Sequence, residues 1–485
     1  MTTVGARLVD CAATLGKVLT AAGYSPSELS GGRIAPTAMD AVVLAHRLGG
    51  GPLATLVKLF LAGVAVPARS AAQALQPLSI DVLTEAGVLT GACADDLVHA
   101  EMCIGWCDDM LIAHDWQDGR PLNRDHVVAV AQASMTLADL TVRLPGVDAL
   151  DVGTGGGVQA FLASRHAAHV TGTDVNSRAL RFAAFGAGLG GLTNVSWLEG
   201  SFLEPVGDQM FDLITVNPPF IISPDNAYLW RDAGPVAGRP GTLGQLLVQQ
   251  IVPRLRPDGW ATMLASWPHP ADSDWATPVR SWFAESGCDV WVLRFASHDP
   301  IEHAHTWLAQ SEHSATEFST ALDRWLDFDH VHGIEELTTG AIIMRRNATD
   351  DENVWIDDMP GSPTGSGSEQ IQRVFRHRRR LRQTADLPAA VLAPLPGTRL
   401  EQMLCQYGNG YEPAPTQLWV QPGLSVSATV SPAALPVFLG LDGHRPLGTL
   451  IAEAAAATDF APEQIRLDTL TAATRLIELG LVDWI

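Results

Sequence analysis

No stretch of this chain is long and apolar enough to span a bilayer, and Met1 to Arg7 shows no secretory h-region followed by a cleavage site. A soluble protein without a membrane partner is expected. The cysteines, Cys11, Cys93, Cys103, Cys107, Cys288 and Cys405, lack the dense paired spacing of a disulfide scaffold, so a reducing cytoplasm is the expected compartment. Cys93, His99, Cys103 and Cys107 are close in sequence. Yet Cys103 and Cys107 stand four apart, too far along a strand for a zinc knuckle pair, and no metal is expected. Positive charge is scarce as well: 31 Lys and Arg face 53 Asp and Glu, a formal net charge of -22. Such a balance repels polyanions at long range and argues against a broad nucleic-acid surface, while leaving room for a local basic groove.

What the chain has is length and apolar content. Its 485 residues, 47% of them hydrophobic, imply two to four domains. The chemistry concentrates between Asp151 and Phe220. Asp151-Val-Gly-Thr-Gly-Gly-Gly157 reads as a strand end and glycine turn, Val170 to Asp174 as the next strand, and Phe211 to Val216 as a strand stopped by Asn217-Pro218-Pro219-Phe220. This alternation predicts an α/β fold with an open parallel sheet. Gly153, Gly155 and Gly157 let the backbone turn tightly against a ligand, and Asp174 stands where an acid holds a ribose diol. The two prolines remove donors and fix φ, so the Asn217 side-chain oxygen and the Pro218 carbonyl can take the two hydrogens of an NH₂ group, with Phe220 stacked on the plane that bears it.

Together these motifs resemble the class I S-adenosylmethionine-dependent methyltransferases, most of all the small-domain branch that methylates amino and amide nitrogens. The resemblance covers roughly residues 121 to 347 and implies a Rossmann-like sheet. It implies S-adenosylmethionine as cofactor, held by Asp151, Gly153, Thr154, Gly155, Gly157, Asp174, Asn176, Ser201 and Asn217. Asn217, Pro218, Pro219 and Phe220 form the catalytic corner. Many relatives carry an acid at the place of Ser201, where this chain has a hydroxyl. The same resemblance implies that the segment before the glycine motif packs over the cofactor, and it makes a general base unnecessary. His269, His303 and His305 are therefore read as surface or packing residues. The long Gly/Pro-rich loop from Ile221 to Gly241, with Asp225, Asn226, Arg231 and Asp232, is the expected substrate lid.

Around this domain the sequence predicts mostly α flanks. Residues 1–120 read as helices followed by a β-hairpin turning at Asp108-Asp109, a winged-helix-like arrangement. His126 to Leu137 reads as a helix leading into the catalytic domain. Residues 348–370, with Gly361 to Ser368, read as a flexible linker, and 371–485 as a further domain. Within it Pro446 to Ile451 echoes Pro52 to Val57, and Leu476 to Val482 echoes Leu83 to Leu89, which predicts a second winged-helix-like unit at 446–485.

Two substrate classes fit the motifs. Phenylalanine at 220 and the cluster Arg373, Arg376, Arg378, Arg379, Arg380 and Arg382, with His377, favour an exocyclic amine of an RNA base. Net acidity favours a protein glutamine; on balance an RNA base is the expected acceptor, with a small-molecule amine third. A solvated or linker helix is the plain alternative for the arginines. A non-catalytic, cofactor-sensing regulator is the competing class.

Overall fold

The computed structural model describes residues 3–91, 96–116, 123–224, 242–309, 314–347, 352–383 and 386–485. The backbone divides into two compact units: Met1–Leu137, Arg143–Val290 and Ser297–Val354 in the first, and Ala138–Val142, Trp291–Ala296 and Trp355–Ile485 in the second.

The first unit is built on the parallel sheet that the alternating pattern predicts. Strand β1 (Asp148–Val152) lies at its centre, because Ala149 to Val152 are all buried. It runs parallel to β2 (His169–Asp174) on one side and to β4 (Phe211–Val216) on the other. β3 (Val195–Glu199) lies outside β2, and β5 (Leu255–His269) lies parallel to β4. With β7 (Glu336–Arg346), antiparallel to β5, the order in this unit is β7-β5-β4-β1-β2-β3; β6 (Cys288–His298) and β8 (Asn353–Asp358) are paired with each other and have residues 291–296 and 355–358 in the second unit. The chain moves outward from β1 to β3 and then returns to β4 on the far side of β1. This reversal opens a crevice at the carboxyl ends of β1 and β4. Both the glycine turn and the Asn-Pro-Pro-Phe corner emerge there.

Helix α1 (Val158–Ser164) begins at Gly157, whose φ of 94° is left-handed backbone that glycine adopts without strain. Helix α2 (Ser177–Gly190) is capped by Asn176 and stopped by Gly191, and helix α3 (Leu243–Ile251) precedes β5. The N-terminal helix Thr3–Ala21 packs on α2 through paired glycines. A Cβ on Gly16 would fall 2.0 Å from the Leu189 carbonyl oxygen, and one on Gly188 would fall 2.7 Å from Ala12 Cβ. Gly16→Ala should therefore destabilise the first unit by about 2–4 kcal/mol through overpacking against backbone, read as a lower thermal midpoint by calorimetry.

The N-terminal region has winged-helix order. Helix Pro52–Phe60, strand Val66–Pro67, helices Ala68–Ala74 and Ile80–Glu85, and strands Leu89–Thr90 and Leu97–Ala100 follow one another, with Leu97–Ala100 central in the small sheet. The hairpin Cys103–Cys107 and Met110–His114 turns at Asp108, where φ is 51°. The expected helix over 126–137 is shorter, Gln132–Leu140, because Val127 is held extended: its N–H donates to Asp115 Oδ2 and its carbonyl accepts from Asp115 N–H. Of the residues weighed for a metal, Cys93 lies outside the described residues, and Cys107 Sγ lies 3.3 Å from Met135 Sδ.

The expected linker is corrected. Asn353–Asp358 forms a strand of the sheet, and the glycine-rich stretch that follows is packed. A Cβ on Gly361 would fall 2.4 Å from Ser425 Oγ, and one on Gly367 would fall 2.3 Å from Leu424 Cδ2. Thr364 N–H donates to the Gly423 carbonyl, and Gly367 N–H to the Asp139 carbonyl. These glycines serve close approach rather than flexibility.

The second unit also carries more β structure than expected. Thr398–Glu401, Thr416–Val420 and Ala428–Val430 form a three-stranded sheet, and Leu404–Tyr407 pairs with Gly410–Pro413. The echo of the N-terminal region is partial. Helix Leu447–Ala457 is followed by one long helix, Pro462–Glu478, because no proline interrupts it as Pro77 separates the two short N-terminal helices. Strand Val482–Trp484 then pairs with Leu392–Pro394, in a two-stranded sheet without a wing.

Candidate active site

Asp151 closes β1 and organises the glycine turn. Its carboxylate is buried and accepts from Thr154 Oγ1 at 2.6 Å, Ala160 N–H at 3.1 Å and Thr215 Oγ1 at 3.1 Å. Burial pushes the carboxyl up to about 6, against the pull of these three donors. The donors come from the turn, α1 and β4, so Asp151 and Thr154 shape the loop from inside. Gly153 and Gly155 have φ of 70° and 54°, and a Cβ on Gly155 would meet nothing within 4 Å. The turn therefore leaves room beside its backbone.

Asp174, at the end of β2, accepts Gly155 N–H on Oδ2 and Asn176 N–H on Oδ1, each at 2.8 Å. Burial raises its pKa. A carboxylate at this place can also accept from the hydroxyls of a vicinal diol. Asn176, expected to touch cofactor, has another role: its Oδ1 accepts Arg178 and Ala179 N–H groups as the cap of α2, and its Nδ2 donates to the Asp125 carbonyl. Ser201 follows β3, with its carbonyl accepting Glu204 N–H. The segment before β1 covers the turn. A Cβ on Gly156 would fall 3.1 Å from the Ala113 carbonyl and 3.8 Å from Val127 Cγ1. Arg178 ties this cover down through an ion pair with Asp115.

At the end of β4, Asn217 Oδ1 is buried and has no hydrogen-bond partner among the described residues. A buried acceptor left unpaired costs about 1–3 kcal/mol, so the site is built to receive a donor. A Cβ on Gly153 would lie 3.8 Å from the Asn217 carbonyl oxygen, which puts the glycine turn and the corner side by side. Pro218 is buried; Pro219 and Phe220 are partly so. The Phe220 ring meets Trp307 edge-on at 6.2 Å. The expected lid residues Asp225, Asn226, Arg231 and Asp232 lie outside the described residues.

Two helices between β6 and β7, α4 (Pro300–Leu308) and α5 (Ala315–His332), pack behind the corner and were not read from the sequence. Their signals are plain in hindsight: Asp299 before Pro300, and the capping box Ser314 to Glu317. Ile221 joins Ala304, Leu308, Ala321 and Trp325 in one apolar cluster. His303 is buried beside Trp325 and lies 3.0 Å from the Ile222 carbonyl through Nε2. Burial pushes its pKa down to about 4. Asp329, on the same buried face of α5 as Ala321 and Trp325, is pushed up to about 7 by burial. His269 bonds Thr338 within the sheet, and His305 packs exposed against Phe318. None of the three histidines bonds to the corner residues Asn217 to Phe220 among the described residues.

These two groups titrate in opposite senses. The stabilisation from neutral His303 is complete above about pH 6.5 and is lost as pH falls toward 4. That from protonated Asp329 is complete below about pH 4 and is lost as pH rises through 7. Asp329→Asn should remove roughly 2–4 kcal/mol of destabilisation between pH 5 and 8, measured as a flatter thermal midpoint against pH than in the parent protein.

Strand order and the shared crevice are those of one fold family, and the sequence comparisons agree. Residues 144–248 match the family model of a methyltransferase domain. This chain carries a class I methyltransferase domain. Its family and fold imply S-adenosylmethionine as cofactor, and the room beside Gly155 together with the Asp174 carboxylate at the end of β2 fits it. Residues 32–100, the winged-helix-like part, match a domain of unknown function, DUF7059. A release factor glutamine methyltransferase of Xylella fastidiosa is 33% identical over 126 residues, 24% of this chain and 46% of the relative. A ribosomal protein uL3 glutamine methyltransferase of Bradyrhizobium diazoefficiens is 39% identical over 75 residues, 15% of this chain and 24% of the relative. The match thus spans about half the length of the first relative and a quarter of the second. Among solved structures, a ribosomal protein L11 methylase of Lactobacillus delbrueckii aligns at 18% identity and TM-score 0.26, over 44% of this chain and 77% of its own.

Of the arginines proposed for RNA, all on helix α6 (Ser368–Gln383), Arg373, Arg376, Arg378 and Arg380 have partners within the second unit. Buried Arg378 donates to the Glu478 carbonyl and, at 2.5 Å, to Asp357 Oδ2. Asp357 also accepts Trp291 Nε1–H and pairs with Arg475 at 2.5 Å. Arg373 donates to the Gly480 carbonyl, and Arg380 donates to the Trp484 carbonyl while its guanidinium lies 4.2 Å from the Trp484 ring centre. Arg376 lies 3.9 Å from Asp483. His377 is buried, with Nε2 3.6 Å from Asp483 Oδ1. Most of this cluster anchors its own unit.

Proposed function

We propose that this protein transfers a methyl group from S-adenosylmethionine to the side-chain amide nitrogen of a glutamine in a protein. The observation that carries the reading is Asn217 Oδ1, a buried acceptor without a partner at the carboxyl end of β4. An amide NH₂ supplies the missing donor. Asn217 takes one hydrogen and the Pro218 carbonyl the other, which orients the nitrogen lone pair toward the glycine turn beside them. Phe220, held edge-on by Trp307, packs against the amide plane. When bound, the cofactor supplies an electrophilic methyl on a sulfonium. Asp174 holds the ribose diol, and the turn shaped by Asp151 accommodates the rest. Burial in the crevice excludes water and strengthens the two polar contacts on the amide. The amide proton leaves after transfer, so no strong base is required of the chain.

Support for glutamine over an RNA base comes from two sides. The named relatives are glutamine methyltransferases acting on a release factor and on ribosomal protein uL3. Arg373, Arg376, Arg378 and Arg380, four of the arginines that favoured RNA, are engaged within their own unit, and the net charge of -22 opposes a polyanion. An intact corner also speaks against a purely cofactor-sensing role.

The test uses tritiated S-adenosylmethionine with the full chain and purified release factor, purified uL3, and total RNA from the source cells. Label in one of the proteins, recovered as N-methylglutamine by mass spectrometry, is expected. Label confined to RNA would overturn the reading.

A further inference from the structure

A second buried polar atom without a partner stands on the same face of the sheet as Asn217. Thr215 on β4 is level with Asp151 on β1 and with Thr262 on β5, so these three side chains share one face. Asn217 follows Thr215 by two residues and Ser266 follows Thr262 by four, and the alternation of strand side chains returns both to that face. Ser266 is 6% exposed, and its Oγ, like Asn217 Oδ1, has no hydrogen-bond partner among the described residues. Such a hydroxyl has given up its bonds to water and gained none in return. Two features place it beside the corner. β5 lies between β4 and β7, and Ile222, five residues after Asn217, clusters with Leu337 of β7, which is paired with Pro268 and so shares the face of Ser266. The chain leaving the corner therefore crosses the end of β5 where Ser266 stands. Thr339, paired with Ser266 across the antiparallel ladder, is partly exposed, so solvent reaches this face next to the hydroxyl.

From this placement we infer that Ser266 holds the carbonyl oxygen of the substrate amide while Asn217 and Pro218 hold its NH₂ group. The inference rests on the reading of a glutamine acceptor and adds the other half of its recognition. Met263 is level with Val216, so Ser266 stands three residues past that level and Asn217 one. With strands about 4.8 Å apart and a rise of about 3.3 Å per residue, the two side chains are rooted roughly 8 Å apart. A primary amide holds its nitrogen and oxygen about 2.3 Å apart, and with a hydrogen bond of about 2.9 Å at each end it spans a similar distance. The two groups are also complementary in kind. Asn217 Oδ1 accepts and Ser266 Oγ–H donates, so together they tell the two ends of a carboxamide apart and fix the nitrogen toward the methyl donor. An alkyl amine carries no oxygen for Ser266, and the hydroxyl left unpaired against it disfavours that substrate.

The test compares three full-length proteins, the parent, Ser266→Ala and Ser266→Thr, with tritiated S-adenosylmethionine as donor and purified release factor, purified uL3 and total RNA as acceptors. Ser266→Ala should lower kcat/KM for the labelled protein about tenfold while the affinity for S-adenosylmethionine, by calorimetry, stays within about twofold. Ser266→Thr keeps the hydroxyl and should restore most of the loss. The thermal midpoint of Ser266→Ala should match the parent, because the hydroxyl has no partner to lose in the free protein; a hydroxyl that only held the fold would lower the midpoint and spare kcat/KM. N-methylglutamine formed by Ser266→Ala as efficiently as by the parent overturns this role for Ser266 and leaves the glutamine reading standing. A fall in cofactor affinity as large as the fall in kcat/KM would assign Ser266 to the cofactor and also overturn it. Label confined to RNA in the parent reaction overturns the glutamine reading and this inference with it.

Discussion

Replacing Asn217 with alanine should lower kcat for methyl transfer by about 10²–10³-fold while leaving the affinity for S-adenosylmethionine within about twofold. The substitution removes the Asn217 Oδ1 acceptor at the corner, which has no partner to lose among the described residues. Its loss therefore falls on the orientation of the amide and not on the fold. Asn217→Ala should be as stable as the parent protein, or slightly more so, since a buried unsatisfied oxygen is removed. Isothermal calorimetry for the cofactor, tritium transfer for kcat and a thermal scan for stability separate the three statements. A tenfold loss of cofactor affinity with unchanged kcat would mean that Asn217 serves the cofactor alone. Asp151→Asn provides the contrast: its carboxylate binds the turn, α1 and β4 together, so both stability and cofactor affinity should suffer.

The second large effect concerns Asp357. This carboxylate, almost fully buried, receives Arg378, Arg475 and the Trp291 indole N–H. Asp357→Ala leaves buried Arg378 without its counterion, and breaking such a pair from one side costs about 3–5 kcal/mol. Calorimetry of the full chain should show the transition of the second unit lowered by roughly 10 °C, with the cofactor-dependent transition of the methyltransferase domain retained. Arg378→Ala should behave in the same way. If Arg378→Ala instead left stability intact and abolished binding to RNA, the structural role given to that arginine would be wrong.

Much of the central domain was legible because its signals are local. A buried apolar strand followed by spaced glycines, an acid ending the next strand, and two prolines after an asparagine each impose a backbone geometry within a few residues. Asn176 shows the limit of such reading. Its place just after the acidic residue suggested a cofactor contact, but the start of α2 and the carbonyl of Asp125 claim its side chain. The arginine cluster shows the same limit on a larger scale. Six arginines within ten residues look like a basic surface until Asp357, Gly480 and Trp484 fold against them from elsewhere in the chain. The glycine-rich stretch at 361–368 has the composition of a flexible linker, and only its fit against Ser425 and Leu424 shows why glycine is there. The hairpin at 404–413 carries its own turn signal, Gly408-Asn409 between Tyr407 and its partner Gly410.

The amino-acid sequence by itself determined the parallel sheet, the glycine turn, the Asn-Pro-Pro-Phe corner and the acidic balance, since each depends on backbone restrictions or counts that hold wherever the segment lies. The tertiary structure decided which polar groups remain available. Asn217 Oδ1 is left without a donor, whereas Asn176, Asp151 and most of the arginines find partners many residues away. A hydrogen bond is satisfied in space and not along the chain, so only the folded arrangement separates a group that binds a ligand from one that holds the protein together.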